Sequence, residues 1–542
     1  MNKIDGKVFR GMLMSGCSNL NNRRKEVDAL NVFPVPDGDT GTNMSLTFTN
    51  GINEVNKSGS EDLPVVAKTL QRGLLMGARG NSGVILSQIF RGFYQSVGES
   101  HELDTKAFAA AMLNGAMLAY KAVMRPVEGT ILTVARESSD MADLYVKDHP
   151  EATIEEYMEI LCKEARASLD RTPELLPILK EARVVDSGGS GLLAIFDGFK
   201  AYLDGAPIED ESARKKNGSE EIGASGYVTE FILKLSDQGV HLFKENRFRD
   251  SLSKLSENIT VVNDADLVKV RVNTAQPGEV LNLGQRFGEF QAVQIDNLAL
   301  GKPRESILEN TSKEEPAAEK DAEEKEYGII TVCAGEGLEK LFRGYRCDFI
   351  VSGGQTMNPS TEDFIKAIEK VHARHIFILP NNSNIIMAAS QAAEVSEGRD
   401  VRVLPTKSIP QGLSACISFN PEADPEENQS AMMDAVGHVK TGQVTYAIKD
   451  TTVDGREIKA GDYMGILDKD IRLTSSDKVD AACRLISEMC DGDSEIVTLI
   501  AGKDASEEEV QKVQKYIEDH FEVDVDVEQG DQPVYCFIVG VE

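Results

Sequence analysis

"KAFAAAMLNGAMLAYKAVM", residues 106–124, decides how the first part of the chain folds. Its apolar residues recur at three- and four-residue spacing among good helix formers, which predicts an amphipathic α-helix. The same period returns on either side. "TIEEYMEILCKEARASL" (153–169) opens on Thr153 with Glu156 three residues later, a capping-box pattern. "SGLLAIFDGFKAYL" (190–203) is another amphipathic run. β-branched alternation is rare throughout, so residues 1–204 read as an all-α domain whose helices are joined by loops rich in Gly and Asp.

Beyond it the composition changes twice. "DGAPIEDESARKKNGSEEIGAS" (204–225) and "TSKEEPAAEKDAEEKE" (311–326) are charged and nearly free of large apolar residues, as linkers are. They divide the chain into a first domain (1–204), a middle domain (223–302), a charged linker (303–326) and a third domain (327–542). In the middle domain "GYVTEFILKL", "ITVVNDADLVKVRVNT" and "FQAVQIDNLAL" alternate like half-buried strands, and "SLSKLSENI" (251–259) reads as a helix, giving a small α+β unit. In the third, the strand-like "YGIITVCA", "CDFIVSG", "HIFILP" and "VRVLPT" alternate with helix-like "GLEKLFRGY", "TEDFIKAIEKV" and "NIIMAASQAAEV". That order predicts βαβ units and a parallel sheet. Residues 443–468 read as antiparallel strands, and "EIVTLIAG", "EEEVQKVQKYIEDHF" and "VYCFIVGV" as a closing β-α-β unit.

The bulk numbers narrow the function. At 542 residues the chain exceeds a single core, and its net charge of −31 disfavours nucleic acid and anionic membrane as partners. No apolar run reaches the roughly 18 residues that suggest a transmembrane segment, and the N-terminus shows no signal-peptide pattern. The eight cysteines are scattered without a C-x-x-C pair, as reduced thiols of a cytoplasmic protein are.

Chemistry concentrates in Gly-rich turns. "NVFPVPDGDTGTNM" (31–44) sets Asp37 and Asp39 in a bend stiffened by prolines, where Gly38 and Gly41 allow tight backbone. Two converging carboxylates repel unless a cation lies between them, and Mg²⁺ suits one or two carboxylates plus phosphate oxygens. A solvent-exposed Asp-Gly turn is the plainer alternative. "GARGNSGVILSQ" (77–88) places Gly residues and Ser82, read as a helix cap, before an apolar helix, a ready anion site. "RPVEGTILTVARE" (125–137) and "DSGGSGLLAIF" (186–196) repeat the arrangement. Each alone reads as an ordinary cap. Together, with a carboxylate pair, they favour a polyphosphate–metal site, and none matches the P-loop pattern.

These four motifs resemble those of the nucleotide-binding subunit of dihydroxyacetone kinases and, within that superfamily, the ATP-binding subunit of bacterial fatty acid kinase. "SGGQTMNPSTEDF" (352–364) and "LPNNSNIIMAA" (379–389) are similar to the latter too, so the resemblance spans nearly the whole chain. It implies an eight-helix antiparallel barrel with ATP at one end, a small α+β middle domain with a dimer contact, and an α/β C-terminal domain resembling the DegV lipid-carrier fold. It implies Asp37 and Asp39 as catalytic Mg²⁺ ligands. A third aspartate of the related kinases is matched nearest by Asn31, with the spacing changed by one residue. The nucleotide contacts implied are Thr40, Gly41, Thr42 and Asn43, then Asn81, Ser82 and Gly83, then Ile131, Arg183, Asp186, Ser187 and Gly188. Some relatives carry "GYCTEF" and "VHVHT" in the middle domain, suited to a transition metal; Val228, Arg271 and Asn273 stand at those places here, so no metal is expected there.

The acceptor follows from what the motifs lack. None contains a His, and His101 and His149 lie in polar stretches. A hydroxyl acceptor wants a general base, whereas a fatty acid is already ionised near pH 7, which favours a carboxylate and an acyl phosphate product; its use in phospholipid synthesis is what the resemblance implies. The resemblance implies a cytoplasmic homodimer and a separate DegV-family carrier that presents the fatty acid. The turns at 352–360 and 380–384 read as a carrier-docking surface, a vestigial ligand site, or connections that merely close βα units. A dihydroxyacetone-type kinase and a non-catalytic ATP-binding scaffold are the alternatives; His372, His375 and His438 lack the setting of a covalent triose site.

Overall fold

The helical period of the first domain closes into a ring. In the computed structural model, which describes residues 1–32, 38–211, 227–236, 239, 243–252, 255, 259–264, 267–297, 324–354, 357–396, 398–447, 451–453 and 456–542, eight long helices follow one another. They are α1 (Gly6–Ala29), α2 (Thr40–Ser58), α3 (Leu63–Gly77), α4 (Gly80–Val97), α5 (Thr105–Ala122), α6 (Ile131–Asp148), α7 (Ile154–Leu175) and α9 (Ser187–Leu203); a six-residue helix, α8 (Pro177–Ala182), sits on the last connection. Short connections make neighbours antiparallel, and α9 returns to pack on α1 and α7. This is the expected barrel, with α8 added.

Aromatic side chains fill the ring. Phe9 stacks on Phe93 with ring centroids 4.9 Å apart, Phe93 meets Phe108 at 5.7 Å, and Phe108 meets Tyr157 at 5.6 Å. All four are buried, each contributing about 1.5–3 kcal/mol. Where α1 crosses α9, a Cβ on Gly198 would stand 2.5 Å from the Gly16 Cα, so small residues bring the two backbones together.

Alternation of direction sorts the connections into two ends. At one, β1 (Lys3–Asp5) pairs with β2 (Glu102–Asp104), a ribbon the sequence did not signal, and the Met1 ammonium meets Glu155 at 2.6 Å. His101, bonded to Asp62, and His149, at the end of α6, belong to this end. The other end gathers the N-termini of α2, α4, α6 and α9.

Residues Met1–Glu211 and Glu323–Glu542 form one compact unit and Ser212–Ala322 a second, so the first and third domains do not stand apart. The start of the first expected linker lies on α1, where Asn22 bonds the Glu209 carbonyl at 2.9 Å and the Glu211 N–H at 2.8 Å. Its remainder, and the charged linker up to 323, fall outside the described residues. The tail of that linker is strand, because β7 (Lys325–Cys333) begins inside it.

The middle unit is a four-stranded antiparallel sheet in the order β4 (Ile259–Asp264), β5 (Leu267–Thr274), β3 (Tyr227–Leu235), β6 (Gly288–Asn297). Its helices are α10 (Glu245–Leu252), which precedes the expected 251–259, and α11 (Pro277–Gln285). Val228 lies opposite Asn273, and buried Glu230 opposite Arg271, whose guanidinium reaches it at 2.7 Å. An ion pair thus occupies this stretch of the sheet.

The third domain carries the expected parallel sheet, in the order β10 (Asp400–Val403), β9 (Ala373–Leu379), β7, β8 (Phe349–Ser352). Helices α12 (Glu336–Gly344), α13 (Thr361–Lys370) and α14 (Ile386–Val395) make the crossovers. A second, six-stranded sheet runs β15 (Asp470–Ser475), β14 (Tyr463–Leu467), β11 (Lys440–Tyr446), β18 (Phe537–Val541), β16 (Ile496–Ala501), β17 (Asp524–Gln529). Between β11 and β14, a small antiparallel ribbon pairs β12 (Thr451–Val453) with β13 (Arg456–Ile458). The closing unit differs from expectation. The parallel partner of β16 is β17, and β18 returns antiparallel between β16 and β11. The alternating acids of "DVDVEQ" hid β17, an edge strand with one face in water.

Candidate functional site

The start of α2 is built from two helices. Asp39 is its N-cap residue but makes no side-chain capping bond to it. Asp28, at the end of α1, does that work: its carboxylate accepts the Thr42 N–H at 2.8 Å and the Thr42 hydroxyl at 2.9 Å. The helices meet so closely that a Cβ on Gly41 would lie 2.3 Å from the Arg24 carbonyl oxygen. Thr40, Asn43 and Asn31 are buried beside this contact. Asp37 lies outside the described residues.

The start of α4 leans on α2. Gly80 takes a left-handed φ of 59°, and a Cβ there would meet the Asn43 side chain at 2.6 Å. The Arg79 N–H donates to the Thr47 hydroxyl at 3.2 Å, and a Cβ on Gly83 would collide with that hydroxyl. Ser82 is not the cap it was expected to be. Arg79 holds the N-cap position, with the helix starting three residues earlier at Gly80, whose φ is positive, and Ser82 falls within the first turn beside Asn81.

On the other side of the ring, α6 and α9 start against each other. Asp186 is the N-cap of α9 and accepts the Gly189 N–H at 2.7 Å, and the nearby Gly188 and Ile131 amides also favour its charged form. Burial pushes its carboxyl up to about 6 in spite of those bonds. Ser187 is buried next to it, and the Met44 sulfur, 2.6 Å from where a Cβ on Gly191 would stand, ties α9 to α2. Arg183 sits apart from these contacts, exposed on the left-handed turn after α8.

The structure therefore brings the four Gly-rich helix starts to one end of the ring. Each N-terminus carries roughly half a positive charge with unpaired N–H groups, so the end attracts an anion, and polyphosphate fits that charge. Asp39 stands among them as a carboxylate whose charge a divalent cation would balance. Among the described residues no three His, Cys, Asp or Glu cluster as a metal cage.

Residues the sequence reading missed complete this end. Asp28 and Thr47 carried no signal, being a helix-terminal acid and a mid-helix threonine. More distant is the third domain, whose two Asn-rich turns press on the same surface. Asn358 Nδ2 donates to Asp39 Oδ2 at 2.7 Å, and Asn81 Nδ2 donates to Asn384 Oδ1 at 3.2 Å. Arg79 donates to the Asn358 carbonyl at 2.7 Å, and the Thr361 N–H to the Ala78 carbonyl at 3.1 Å. Asn381 instead ties the sheet together, bonding Thr331, the Val332 carbonyl and Thr406. The cavity beside it, at the strand ends near Cys333 and Gln532, holds about 50 Å³, against roughly 300–1,000 Å³ for small-molecule pockets.

Comparison with known proteins covers the chain end to end. A DAK2 domain model matches residues 34–201, a FakA-like (fatty acid kinase) middle-domain model matches 224–304, and a FakA-like C-terminal model matches 328–542. Protein YloV of Bacillus subtilis (strain 168) is 45% identical over 557 residues, covering 99% of each chain. Among solved structures, the dihydroxyacetone kinase of C. freundii aligns with a TM-score of 0.32 at 13% identity, over 41% of this chain and 48% of that one. A DegV family protein from Thermus thermophilus, described by its fatty acid binding, aligns with a TM-score of 0.30 at 13% identity, over 40% and 99%.

Proposed function

The chain belongs to the FakA-like fatty acid kinase family, and from that premise we propose that it is the ATP-binding catalytic component of a fatty acid kinase. It passes the γ-phosphoryl group of ATP to a carboxylate oxygen of a fatty acid presented by a DegV-family carrier, giving an acyl phosphate and ADP. The observation that carries this reading is the meeting of four Gly-rich helix N-termini at one end of the ring, one of them bearing Asp39.

The roles follow from the contacts. Backbone amides at Thr40 and Gly41 face the phosphates from α2, and those of Asn81 and Ser82 from α4; the Asn43 and Gly83 amides bond the Asp39 and Arg79 carbonyls, so these two residues line the site without offering their N–H groups. Thr42 holds the loop through Asp28. Ile131, Ser187 and Gly188 frame the opposite side, and Asp186 sets the gap between α6 and α9. Arg183, exposed on the turn after α8, is our candidate for a phosphate contact from the rim. Asp37 and Asp39 would hold Mg²⁺, with Asn31 as a third candidate; the donor set of hard oxygens suits that ion, which would supply charge neutralisation to the transferring phosphoryl group. The acceptor needs no base, since its carboxylate is ionised at neutral pH, and the first domain's histidines sit at the opposite end.

The test mixes the purified chain, MgATP and an oleate-loaded carrier of this family, and traps acyl phosphate with hydroxylamine. Carrier-dependent product, lost in Asp39→Ala, is expected. No product with a cognate carrier present overturns the proposal, and turnover of dihydroxyacetone without any added protein replaces it.

A further inference from the structure

We infer that the third domain supplies a positioning residue to the nucleotide site: Asn358 orients the Asp39 carboxylate and offers its own amide oxygen to the hydration shell of the cation held there. The inference rests on the reading of Asp39 as a Mg²⁺ ligand.

Asn358 sits on a turn that is fixed from both sides. Behind it, Ser360 and Asp363 form a reciprocal capping box at the start of α13, and a Cβ on Gly353 would collide with Pro359. In front, Arg79 and Ser360 form an isolated antiparallel bridge, the Thr361 N–H bonds the Ala78 carbonyl, and the Arg79 guanidinium holds the Asn358 carbonyl. With its backbone held, the side chain reaches Asp39 Oδ2 at 2.7 Å. A carboxylate accepts and does not donate, so the nitrogen end of the amide must face it, and the oxygen end is set by elimination. That oxygen is buried, in a residue only 3% exposed, and it accepts no hydrogen bond among the described residues. Buried acceptors in folded proteins are almost always satisfied. Mg²⁺ keeps several of its waters, each a donor, and a water on a cation at Asp39 is the partner this oxygen lacks. The bond to Oδ2 fixes the rotation of the carboxylate, as outer partners of metal ligands do, and loss of such a partner costs about 10–100-fold in metal affinity. The third domain thus joins the kinase site in cis, with the Asn81–Asn384 bond as a second contact.

The experiment uses the full chain and ADP, measured by calorimetry with Mg²⁺ and with EDTA, together with a Mg²⁺ titration at fixed ADP. Asn358→Ala should weaken MgADP about tenfold and raise the Mg²⁺ midpoint to match, with metal-free ADP binding unchanged. Asn358→Asp keeps an acceptor but places a second negative charge against Asp39, so it should bind MgADP poorly at low Mg²⁺ and recover at high Mg²⁺. Circular dichroism checks folding, and if the Ala variant fails to fold, the Mg²⁺ dependence of the Asp variant decides. Unchanged or tighter MgADP binding in Asn358→Ala, or an Asp variant with the parent's Mg²⁺ midpoint, overturns the inference. Asp39→Ala runs in parallel. If it loses MgADP while Asn358→Ala does not, only this inference fails; if Asp39→Ala itself binds MgADP as the parent does, the underlying assignment of the site fails.

Discussion

Two aspartates stand at N-cap positions at the same end of the helical ring and do different work. Asp186 is buried, accepts its own helix's Gly189 amide and joins α9 to α6. The Asp39 side chain makes no capping bond to α2; Asp28 supplies one at Thr42, and Asn358 from a distant domain bonds the Asp39 carboxylate. An acid committed to backbone amides is a structural element. An acid whose capping duty falls to a neighbour, set at a positive helix end, is the one we propose for a ligand. A motif of Gly and Asp before a helix does not separate the two cases; the hydrogen bonds do.

Substitutions can break that contrast. The largest effect expected is Asp39→Ala on MgADP affinity, a loss of about a hundredfold or more with only a small drop in melting temperature from the lost Asn358 bond, read by calorimetry and a thermal melt. Asp186→Ala should do the reverse. It leaves buried amides without an acceptor and lowers stability by about 2 kcal/mol, visible as a lower melting temperature. If the two variants behave alike, the contrast is wrong.

Asp186 also predicts a pH dependence. Its folded pKa of about 6 lies above the ordinary carboxylate value, so between about pH 4 and 6 the folded state binds more protons than the unfolded state. Its contribution to stability therefore falls as pH rises through that window and is flat above it. Asp186→Asn, which keeps a capping oxygen, should flatten this part of the stability–pH curve relative to the parent. A smaller effect is expected for Asp28→Ala, about 1 kcal/mol from the lost cap on Thr42, with a modest weakening of MgADP. Comparable is Arg79→Gln. It loses a 3.7 Å pair with Asp363, worth well under 1 kcal/mol between part-exposed groups, and the 2.7 Å bond to the Asn358 carbonyl, about 1 kcal/mol, so the denaturant midpoint should fall slightly.

Much of the architecture was legible because local patterns carry it. Three- and four-residue apolar spacing marked the ring helices, and short buried runs marked the parallel strands. What escaped had no local signature. The β1–β2 ribbon joins segments about a hundred residues apart, and β17 is an edge strand whose acids face water. Ser82 looked like a cap, yet the left-handed turn at Gly80 moved the helix start. At the site, the Gly-rich starts were readable as motifs, but the partners Asp28, Thr47, Asn358 and Asn384 were not, since none belongs to a pattern that includes its contact.

The sequence by itself determined that four stiff, glycine-rich turns precede helices in the first domain and that one of them carries paired acids, because backbone freedom and periodicity are properties of neighbours in the chain. Only the tertiary structure decided that those turns share one end of a ring, that the Asp186 side chain caps its own helix while that of Asp39 does not, and that Asn358, 319 residues from Asp39, bonds it. Antiparallel packing and domain contact bring together residues that no local rule relates, and hydrogen bonds are assigned only once every donor and acceptor has found its place.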